Sequence, residues 1–274
     1  MGKFDGILIC TDLDGTLYKN DKTISIENKD AIEYFEREGG AFTFITGRMP
    51  YYSMDAFNAV APNVPFGCVN GAGVYDGAAE KYIWTKNDMS NDVFELISYV
   101  DQHFLEVGIQ VCTFEKTYFC KENSVMYRFR KQTGLPNYIA NYYEVNEQIA
   151  KIIFGSDKPS ELLEIEKALR EHPLAESFDF ISSEKSLFEI LPRGVNKGLS
   201  LVKLVEYLGI DSKKTIAIGD YNNDIGMFES AAIGVAVSNA CQAALDAADY
   251  ITVSNEEHAI AQVICDLENG KLNF

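Results

Sequence analysis

The sequence predicts an α/β protein with a doubly wound parallel-sheet core and an inserted α+β domain. Apolar runs alternate with amphipathic segments towards both ends of the chain, and this alternation is the βαβ rhythm of a parallel sheet. Between residues 83 and 191 the alternation is lost, and Tyr and Phe become more frequent. We therefore predict a core of residues 1–82 and 192–274, interrupted by a domain of residues 83–191.

The first part of the core alternates strands and helices, and each element has a local signal. A short apolar run after Gly6 is typical of a strand that is covered on both faces. Ser25 is a favoured helix cap, and the glycines at 39 and 40 are typical of a helix end. The predicted elements are a strand at 7–10, a helix from Ser25 to Gly39, a strand at 41–45, and an apolar run at 65–69 that leads into a hairpin reaching Trp84.

Pro192 separates the inserted domain from the second part of the core. The insertion is expected to contain a helix from Asp92, strands near 109–114 and 151–154, a helix near 161–170, and strands near 178–182 and 187–191, without strict βαβ order. Beyond Pro192 the alternation predicts helices at 197–208, 224–231, 241–247 and 256–267, and strands at 215–218, 234–237 and 250–253. The two parts of the core are expected to close into one domain.

The chain is strongly acidic, with 24 Lys and Arg residues against 41 Asp and Glu residues and a formal net charge of −17. Nucleic-acid backbones and anionic lipids repel such a chain, so we expect neither nucleic-acid nor membrane partners. An anionic substrate is also repelled at long range. Any phosphate site must therefore be built locally from a metal, a lysine and the N–H groups of helix amino termini.

The six cysteines are scattered without a C-x-x-C pair, and we expect them to be reduced core residues. No apolar stretch reaches the roughly 20 residues that span a bilayer, and the start lacks the apolar region and cleavage site of a secretory signal. We expect a cytoplasmic protein that is a monomer or a weak homodimer.

Two carboxylates lie at the expected carboxyl end of the first strand. Asp12 and Asp14 follow its apolar run, and ligands of open α/β sheets bind beyond such strand ends. Carboxylates this close repel each other unless a cation or a shared proton intervenes, which favours a hard metal such as Mg²⁺. A solvated turn is the structural alternative, and an EF-hand calcium loop would need Gly and Glu where Leu17 and Thr23 stand.

A second acidic strand end lies far along the chain, where Asp220 follows the apolar run at 215–218. A hard cation prefers several oxygen ligands. Asp12, Asp220 and a backbone carbonyl such as that of Asp14 would supply three of them, with water and substrate supplying the rest. The sequence therefore predicts one metal shared by two strand ends.

Thr46, Gly47 and Arg48 lie between a predicted strand and a helix that Pro50 would open. The Thr46 hydroxyl and the free amides there would attract an anion, because helix amino termini carry partial positive charge. The segment is thus a candidate phosphate site. An ordinary turn is the alternative.

Two further helix starts carry side chains that allow more than one interpretation. Asn196 is expected to cap a helix, and Lys197 in the first turn opposes the macrodipole at a cost of several tenths of a kcal/mol, so an anion should compensate. A solvated surface lysine is the alternative. Asn223 is expected to cap the helix after Asp220, with Asp224 in its first turn, and this structural role is compatible with a role in the site.

Two other kinds of site are disfavoured. Gly71, Gly73 and Gly77 approximate a dinucleotide fingerprint, but the spacing is off by one and a hairpin is expected to follow. A Ser–His–Asp or Cys–His site would need a histidine beside a nucleophile at a strand end. None of the three histidines has that position: His103, His172 and His258.

Four of these segments, taken in chain order, resemble the four motifs of the haloacid dehalogenase-like hydrolase superfamily. The resemblance spans nearly the whole chain. The motifs are Asp12-Leu13-Asp14-Gly15-Thr16, Thr46-Gly47-Arg48, Lys197 and Gly219-Asp220-Tyr221-Asn222-Asn223-Asp224. Asn70-Gly71-Ala72 and the segment from Phe188 to Gly198 further resemble the Cof-type branch, which has a type IIB cap between the second and third motifs. The resemblance implies a Rossmann-like catalytic core at 1–82 and 192–274 and a substrate-specificity cap at 83–191.

The resemblance also implies a role for each candidate residue. Asp12 would be the nucleophile that forms an aspartyl-phosphate, and Asp14 the general acid and base. Mg²⁺ would bind Asp12, the carbonyl of Asp14 and Asp220, while Asp224 would orient Lys197 or a metal-bound water. The residues expected to hold the phosphate or the substrate are Thr46, Gly47, Arg48, Asn70, Lys197 and Asn223.

The implied activity is that of a Mg²⁺-dependent phosphatase acting on small phosphorylated metabolites, with sugar phosphates favoured over pyridoxal phosphate and flavin mononucleotide. An Asp at position 14 favours hydrolysis over phosphotransfer within the superfamily. A phosphomutase and a regulator that binds without turnover are the alternatives. Four tyrosines of the insertion are candidates for stacking on a substrate ring, with core or surface packing as the alternative: Tyr118, Tyr127, Tyr138 and Tyr142.

Overall fold

The protein consists of two compact units, and we describe each by itself in a computed structural model that covers residues 2–134, 136 and 138–274. One unit is discontinuous and contains Met1–Thr85 and Asn196–Phe274. The other is the continuous segment Lys86–Val195. The first is a doubly wound parallel α/β unit and the second an α+β unit, so the predicted fold class is confirmed.

The helices and strands follow in chain order. The first part of the discontinuous unit contains β1 (Leu8–Thr11), α1 (Ile26–Arg37), β2 (Ala41–Phe44), α2 (Pro50–Val60), β3 (Phe66–Cys68), β4 (Gly73–Asp76) and β5 (Lys81–Thr85). The inserted unit contains α3 (Val93–His103), β6 (Gly108–Thr113), β7 (Thr117–Lys121), α4 (Ser124–Thr133), β8 (Tyr138–Ile139), β9 (Ile149–Gly155), α5 (Pro159–Arg170), β10 (Phe178–Glu184) and β11 (Leu187–Pro192). The last part contains α6 (Lys197–Leu208), β12 (Thr215–Gly219), α7 (Ile225–Ser230), β13 (Ile233–Val237), α8 (Gln242–Ala247), β14 (Tyr250–Thr252) and α9 (Ala259–Glu268).

The parallel sheet of the discontinuous unit has the strand order β14-β13-β12-β1-β2. Leu8 of β1 pairs with Thr215 on one side and with Ala41 on the other, so β1 is a central strand. The strand is fully buried and made of apolar residues and Thr11, as expected for a parallel strand that is covered on both faces. Because the strands are parallel, the residues after β1 and β12 emerge at the same edge.

The helices next to this edge begin where the sequence signals indicated. Ser25 caps α1 by accepting a hydrogen bond from the Asn28 N–H, and Pro50 is the first residue of α2. The Asn196 side chain accepts from the Leu199 N–H, which places Lys197 at the first position of α6. Side-chain caps therefore define the starts of α1 and α6, and a proline defines the start of α2.

Strands β3, β4 and β5 form a small antiparallel sheet, and the hairpin predicted after residue 69 is confirmed as β4 and β5. Three consecutive residues between β3 and β4 have left-handed backbone: Val69 at φ 55°, Asn70 at φ 51° and Gly71 at φ 106°. A β-branched residue in this region is strained. A Cβ at Gly71 would lie 1.8 Å from the Asn196 carbonyl oxygen, so this position requires glycine.

The inserted unit is a six-stranded sheet in the order β10-β11-β9-β6-β7-β8, antiparallel except for the β7–β8 pair. Helices α3 and α5 pack on one face, where Leu96 and Ile165 join a core with Val111 and Ile152. Elements β7, α4 and β8 had no counterpart in the prediction, because they are short and most residues of α4 are polar.

Three local predictions were wrong. The last helix begins at Ala259, since a 3-10 turn at Asn255–Glu257 and a left-handed His258 precede it. Asn223 is not a helix cap, because it lies inside a 3-10 turn at Asn222–Asp224. All six cysteines are free thiols, but Cys265 is exposed and is therefore not a core residue.

Candidate active site

The candidate site lies at the carboxyl edge of the parallel sheet. Asp12 and Asp14 follow β1, and Asp220 follows the neighbouring strand β12. The Asp12 N–H donates to the carbonyl of Ile218 at 2.8 Å, so the pairing of the two strands continues into the site. Parallel pairing is therefore what brings together carboxylates that are far apart in sequence.

The loop after β1 fits closely against Asp220. The Thr16 hydroxyl donates to Asp220 Oδ1 at 2.9 Å. Gly15 has φ +85°, and a Cβ there would lie 2.5 Å from Asp220 Oδ2, so this position requires glycine for both backbone and space. Thr16 belongs to the first motif, but its contact with Asp220 could not be predicted because it depends on how two distant loops meet.

Three carboxylates form a compact cluster. One oxygen from each of Asp12, Asp220 and Asp224 lies within 4.8 Å of the others. Burial raises the pKa of the Asp12 carboxyl well above its ordinary value; Lys197 opposes this effect, and the neighbouring acids add to it. Burial and then the Asp224 charge raise the pKa of Asp220 to about 6. Burial and the neighbouring acids thus disfavour the charged forms of these two carboxyls.

Lys197 is buried between two of these acids, with 1% of its side chain exposed. Its Nζ donates to Asp12 Oδ1 at 2.5 Å and to Asp224 Oδ1 at 2.6 Å. Burial lowers the pKa of the ammonium, but the two carboxylates outweigh burial and raise it above the ordinary value. Lys197 is therefore a fixed positive charge. Asp12 and Asp224 are the anions that were expected to compensate a lysine in the first turn of α6.

Asp224 also organises the loop around it. Its Oδ2 accepts hydrogen bonds from the N–H groups of Asp220 and Tyr221, both at 2.9 Å. A Cβ at Gly219 would lie 2.4 Å from the Asp224 carboxyl carbon, so glycine is required where the loop passes this side chain. One Asp224 oxygen thus orders the loop while the other binds Lys197.

The Asp14 side chain points to a different set of partners. Arg48 donates to it twice, from Nε to Oδ2 at 2.9 Å and from Nη2 to Oδ1 at 2.6 Å. The Lys22 Nζ donates to Oδ1 at 2.8 Å. Burial raises the pKa of the Asp14 carboxyl, but the Arg48 and Lys22 charges outweigh burial and hold the pKa below its ordinary value. No sequence signal indicated Lys22, which reaches Asp14 from a turn.

The other candidate phosphate-binding residues lie close to one another. Asn223 Nδ2 donates to Asn70 Oδ1 at 3.1 Å, and the Asn70 N–H donates to the Thr46 carbonyl at 3.1 Å. A Cβ at Gly47 would lie 2.8 Å from Asn70 Oδ1. The Thr46 hydroxyl accepts from the Arg48 N–H at 3.2 Å, so the Thr-Gly-Arg segment is an ordered turn. The structure thus brings Thr46, Gly47, Asn70 and Asn223 together.

The acidic cluster fits a hard divalent cation. Its donors are carboxylate oxygens from three chain positions, which is the ligand chemistry of Mg²⁺. Burial and the neighbouring acids raise the pKa values of Asp12 and Asp220, and a divalent cation beside them would favour their charged forms. The Asp14 side chain is not in the cluster, so only its backbone carbonyl remains a candidate ligand.

The four tyrosines of the insertion have different surroundings. The Tyr118 hydroxyl donates to Glu147 at 2.6 Å, and the Tyr142 hydroxyl donates to Asp101 at 3.4 Å. Tyr127 and Tyr138 are exposed. Their contacts are those of ordinary packing and surface residues, which matches the structural alternative.

The fold and the site define a class of protein. A family model described as haloacid dehalogenase-like hydrolase matches residues 9–264. The chain therefore belongs to the haloacid dehalogenase-like hydrolases, and the predicted family is confirmed.

Individual relatives are similar over nearly their whole length. The phosphatase YwpJ of Bacillus subtilis is 29% identical, with 94% of this chain and 98% of YwpJ covered. The 5-amino-6-(5-phospho-D-ribitylamino)uracil phosphatase YwtE of the same organism is also 29% identical, with 96% of this chain and 98% of YwtE covered. The solved structure of a haloacid dehalogenase-like hydrolase from B. subtilis has a TM-score of 0.82 at 26% identity, covering 95% of this chain and 99% of that one.

Among residues 2–134, 136 and 138–274, none of the helices combines the length and the apolar character required to cross a bilayer.

Proposed function

We propose that this protein is a Mg²⁺-dependent phosphatase that hydrolyses small phosphate monoesters through an aspartyl-phosphate. The observation that carries the proposal is the cluster of Asp12, Asp220 and Asp224 at the sheet edge, in which a buried Lys197 binds Asp12 and Asp224. Phosphoryl transfer depends mainly on positioning and on neutralising charge. A chain with a net charge of −17 has to concentrate its positive charge at such a point.

In the first step, an Asp12 carboxylate oxygen attacks phosphorus, and the bond from phosphorus to the ester oxygen breaks. Asp14 gives a proton to the departing alcohol oxygen, and it can carry that proton only when substrate has displaced Arg48 and Lys22, whose charges otherwise hold its pKa low. In the second step, Asp14 takes a proton from water, the hydroxide attacks phosphorus, and the phosphorus bond to Asp12 breaks. Inorganic phosphate is released, and both acids return to their starting states.

Lys197 and the loop residues hold the phosphoryl group during both steps. Lys197 supplies a fixed ammonium, while the Thr46 hydroxyl, the Gly47 N–H and the Asn223 amide supply hydrogen bonds to phosphoryl oxygens. Asn70 fixes Asn223 through their 3.1 Å hydrogen bond. These groups would stabilise the charge of the transition state because the fold has already positioned them.

A Mg²⁺ ion would be held by Asp12, Asp220 and the carbonyl of Asp14, with Asp224 beside it. When bound, it neutralises charge on the phosphate and on the attacking carboxylate. Arg48 and Lys22 hold the Asp14 carboxyl in place before substrate binds.

Each unit has its own part in the proposal. The discontinuous unit would be the catalytic core, and the inserted unit would be a cap that selects the substrate. The relative YwtE is named for a phosphorylated ribitylamino compound, and a small polyol or sugar phosphate is the substrate class that we favour. The protein would work in the cytoplasm as a monomer or weak homodimer.

The test is phosphate release from p-nitrophenyl phosphate and from a panel of sugar, polyol, pyridoxal and flavin phosphates, with and without Mg²⁺. We expect Mg²⁺-dependent release that Asp12→Asn lowers by at least about a thousandfold while the fold is retained. The exposed Asp30→Asn is the matched control. Turnover by Asp12→Asn at the wild-type rate would show that Asp12 is not the nucleophile. Isomerisation of hexose phosphates without free phosphate would identify a mutase instead.

A further inference from the structure

The loop after β1 has a flexible position next to a proposed metal ligand. Gly15 follows Asp14, whose backbone carbonyl is the candidate ligand, and it has φ +85°. The space beside Asp220 excludes a Cβ there, so glycine is required. Glycine restrains the backbone less than any other residue does. Contacts from other segments must therefore supply the rigidity that the Gly15 backbone lacks.

Asn239 supplies such a contact from a distant part of the chain. It follows β13, which lies beyond β12 in the sheet order, two strands away from β1. Its side-chain Nδ2 donates to the Gly15 carbonyl at 2.9 Å. The amide of Asn239 thus holds the loop at the residue after Asp14.

The Asn239 side chain is itself held in place by Asn255, in the turn after β14. The Asn255 N–H donates to Asn239 Oδ1 at 2.9 Å, so both polar atoms of the Asn239 amide are hydrogen-bonded. Asn255 is 2% exposed, and its Nδ2 donates to the Tyr18 carbonyl at 3.0 Å. The two asparagines therefore form one connected group that holds the loop at both Gly15 and Tyr18.

The exposure of Asn239 separates its role from core packing. A typical hydrogen bond adds only about 1 kcal/mol to the free energy of unfolding, and Asn239 lies at the surface. A metal site is more sensitive to such a contact. Mg²⁺ requires near-ideal octahedral geometry, whereas the larger Ca²⁺ accepts more flexible arrangements of oxygen ligands. A preference for Mg²⁺ over Ca²⁺ therefore depends on how firmly the oxygen ligands are held.

We propose that Asn239 is a positioning residue of the metal site. By holding the Gly15 carbonyl, it restricts rotation of the adjoining Asp14 carbonyl and gives the site its preference for Mg²⁺ over Ca²⁺. Asn239 acts through the loop backbone and does not bind the ion. The inference rests on the proposed Mg²⁺-dependent function.

The test is the Kd of Mg²⁺ and of Ca²⁺, measured by isothermal titration calorimetry without substrate. Asn239→Leu keeps the branched shape of the side chain and removes the Nδ2 donor. We expect the Kd of Mg²⁺ to rise about tenfold, as is typical when a contact to a metal ligand's surroundings is lost. The Kd of Ca²⁺ should rise at most about twofold. A merely structural role would lower Tm and leave the ratio of the two Kd values unchanged.

A second variant addresses the loss of an acceptor, because Asn239→Leu also leaves the Asn255 N–H without its partner. Asn239→Asp keeps an oxygen for that N–H and removes only the donor to Gly15. Its added charge attracts both divalent ions alike, so the Kd of Ca²⁺ divided by that of Mg²⁺ should still fall at least about fivefold. This variant serves as the test if Asn239→Leu does not fold.

Asn269→Leu is the control for both variants. It removes another exposed asparagine amide that donates to a backbone carbonyl, that of Cys265 at 2.8 Å, and it should leave both Kd values unchanged. A wild-type ratio of the two Kd values in a folded Asn239 variant would overturn the inference. Wild-type protein that binds Mg²⁺ no more tightly than Asp220→Asn would instead reject the proposed metal site and, with it, the proposed function.

Discussion

At the scale of single residues, Lys197 shows how one buried charge organises the site. Its ammonium binds Asp12 and Asp224, two acids that follow different strands. Removing one partner of a buried ion pair leaves an uncompensated charge, which costs more than the pair contributes. The same lysine is therefore expected to support both folding and catalysis.

We predict that Lys197→Met lowers the free energy of unfolding by roughly 3–5 kcal/mol, because two buried carboxylates lose their cation. Phosphatase activity should be lost as well. Urea unfolding in the absence of Mg²⁺ measures the first effect. Lys203→Met on the same helix removes a partly exposed lysine paired with Glu206 and should cost at most about 1 kcal/mol. Equal stability of the two variants would contradict the prediction.

Asp14 provides a second prediction at this scale. Asp14→Ala should slow both chemical steps and let the phosphorylated enzyme accumulate, because no group then activates water. Intact-protein mass spectrometry after rapid mixing with substrate would detect the added phosphate. A kcat equal to that of the wild type would remove Asp14 from acid and base catalysis.

At the scale of elements, Asn63 connects the end of α1 to the edge strand β2. Its side chain donates to the Gly40 carbonyl at 2.9 Å and accepts from the Phe42 N–H at 3.0 Å. Its own N–H donates to Glu36 on α1 at 2.9 Å. Burial, followed by the Glu33 charge, raises the pKa of Glu36 to about 7 against the opposing Asn63 hydrogen bond.

This raised pKa predicts a pH dependence of stability. The folded protein binds the Glu36 proton more tightly than the unfolded chain, so the associated stability is present below pH 4.5 and is lost as pH rises towards 7. We expect a loss of about 1 kcal/mol, since the half-buried side chain is partly screened by water. Glu36→Gln should flatten this decline.

Urea unfolding at about pH 5 and about pH 8 would measure the difference. Glu229→Gln, at an exposed position, should keep the wild-type slope. A slope in Glu36→Gln as steep as that of the wild type would show that other groups cause it.

The limits of prediction from sequence are also clearest at this scale. The bounds of α6, 197–208, were predicted correctly because Asn196 caps its start and Gly209 ends it in the left-handed region. The β1 and β12 carboxylates could be placed together since parallel strands share an edge. The Lys22 contact with Asp14 and the Asn70 contact with Asn223 could not, because they join loops whose geometry depends on the packed fold.

At the scale of the whole molecule, the main feature is the negative net charge and its effect on stability. The net charge of −17 destabilises the compact state by self-repulsion, and the acidic cluster concentrates part of it. A ligand that binds only the folded protein stabilises it by mass action. Mg²⁺ should therefore stabilise the protein as well as activate it.

We predict that Mg²⁺ at about 100 times its Kd adds about 2.7 kcal/mol to the free energy of unfolding and raises Tm by several degrees. Asp220→Asn should lose most of this shift because it removes a proposed metal ligand. NaCl at matched ionic strength controls for general screening. A Mg²⁺-dependent gain in stability of equal size in Asp220→Asn would show that the ion binds at another site.

The discontinuous unit also determines an order of events during synthesis on the ribosome. Strand β1 emerges early, but its partner β12 follows the entire inserted unit, which takes on the order of ten seconds to translate. During that time β1 has one open edge, and its residues Leu8 and Cys10 lack α6 and α7, which later pack against them. The inserted segment is continuous and can fold first, so the nascent chain is most exposed to aggregation and most dependent on chaperones before β12 appears.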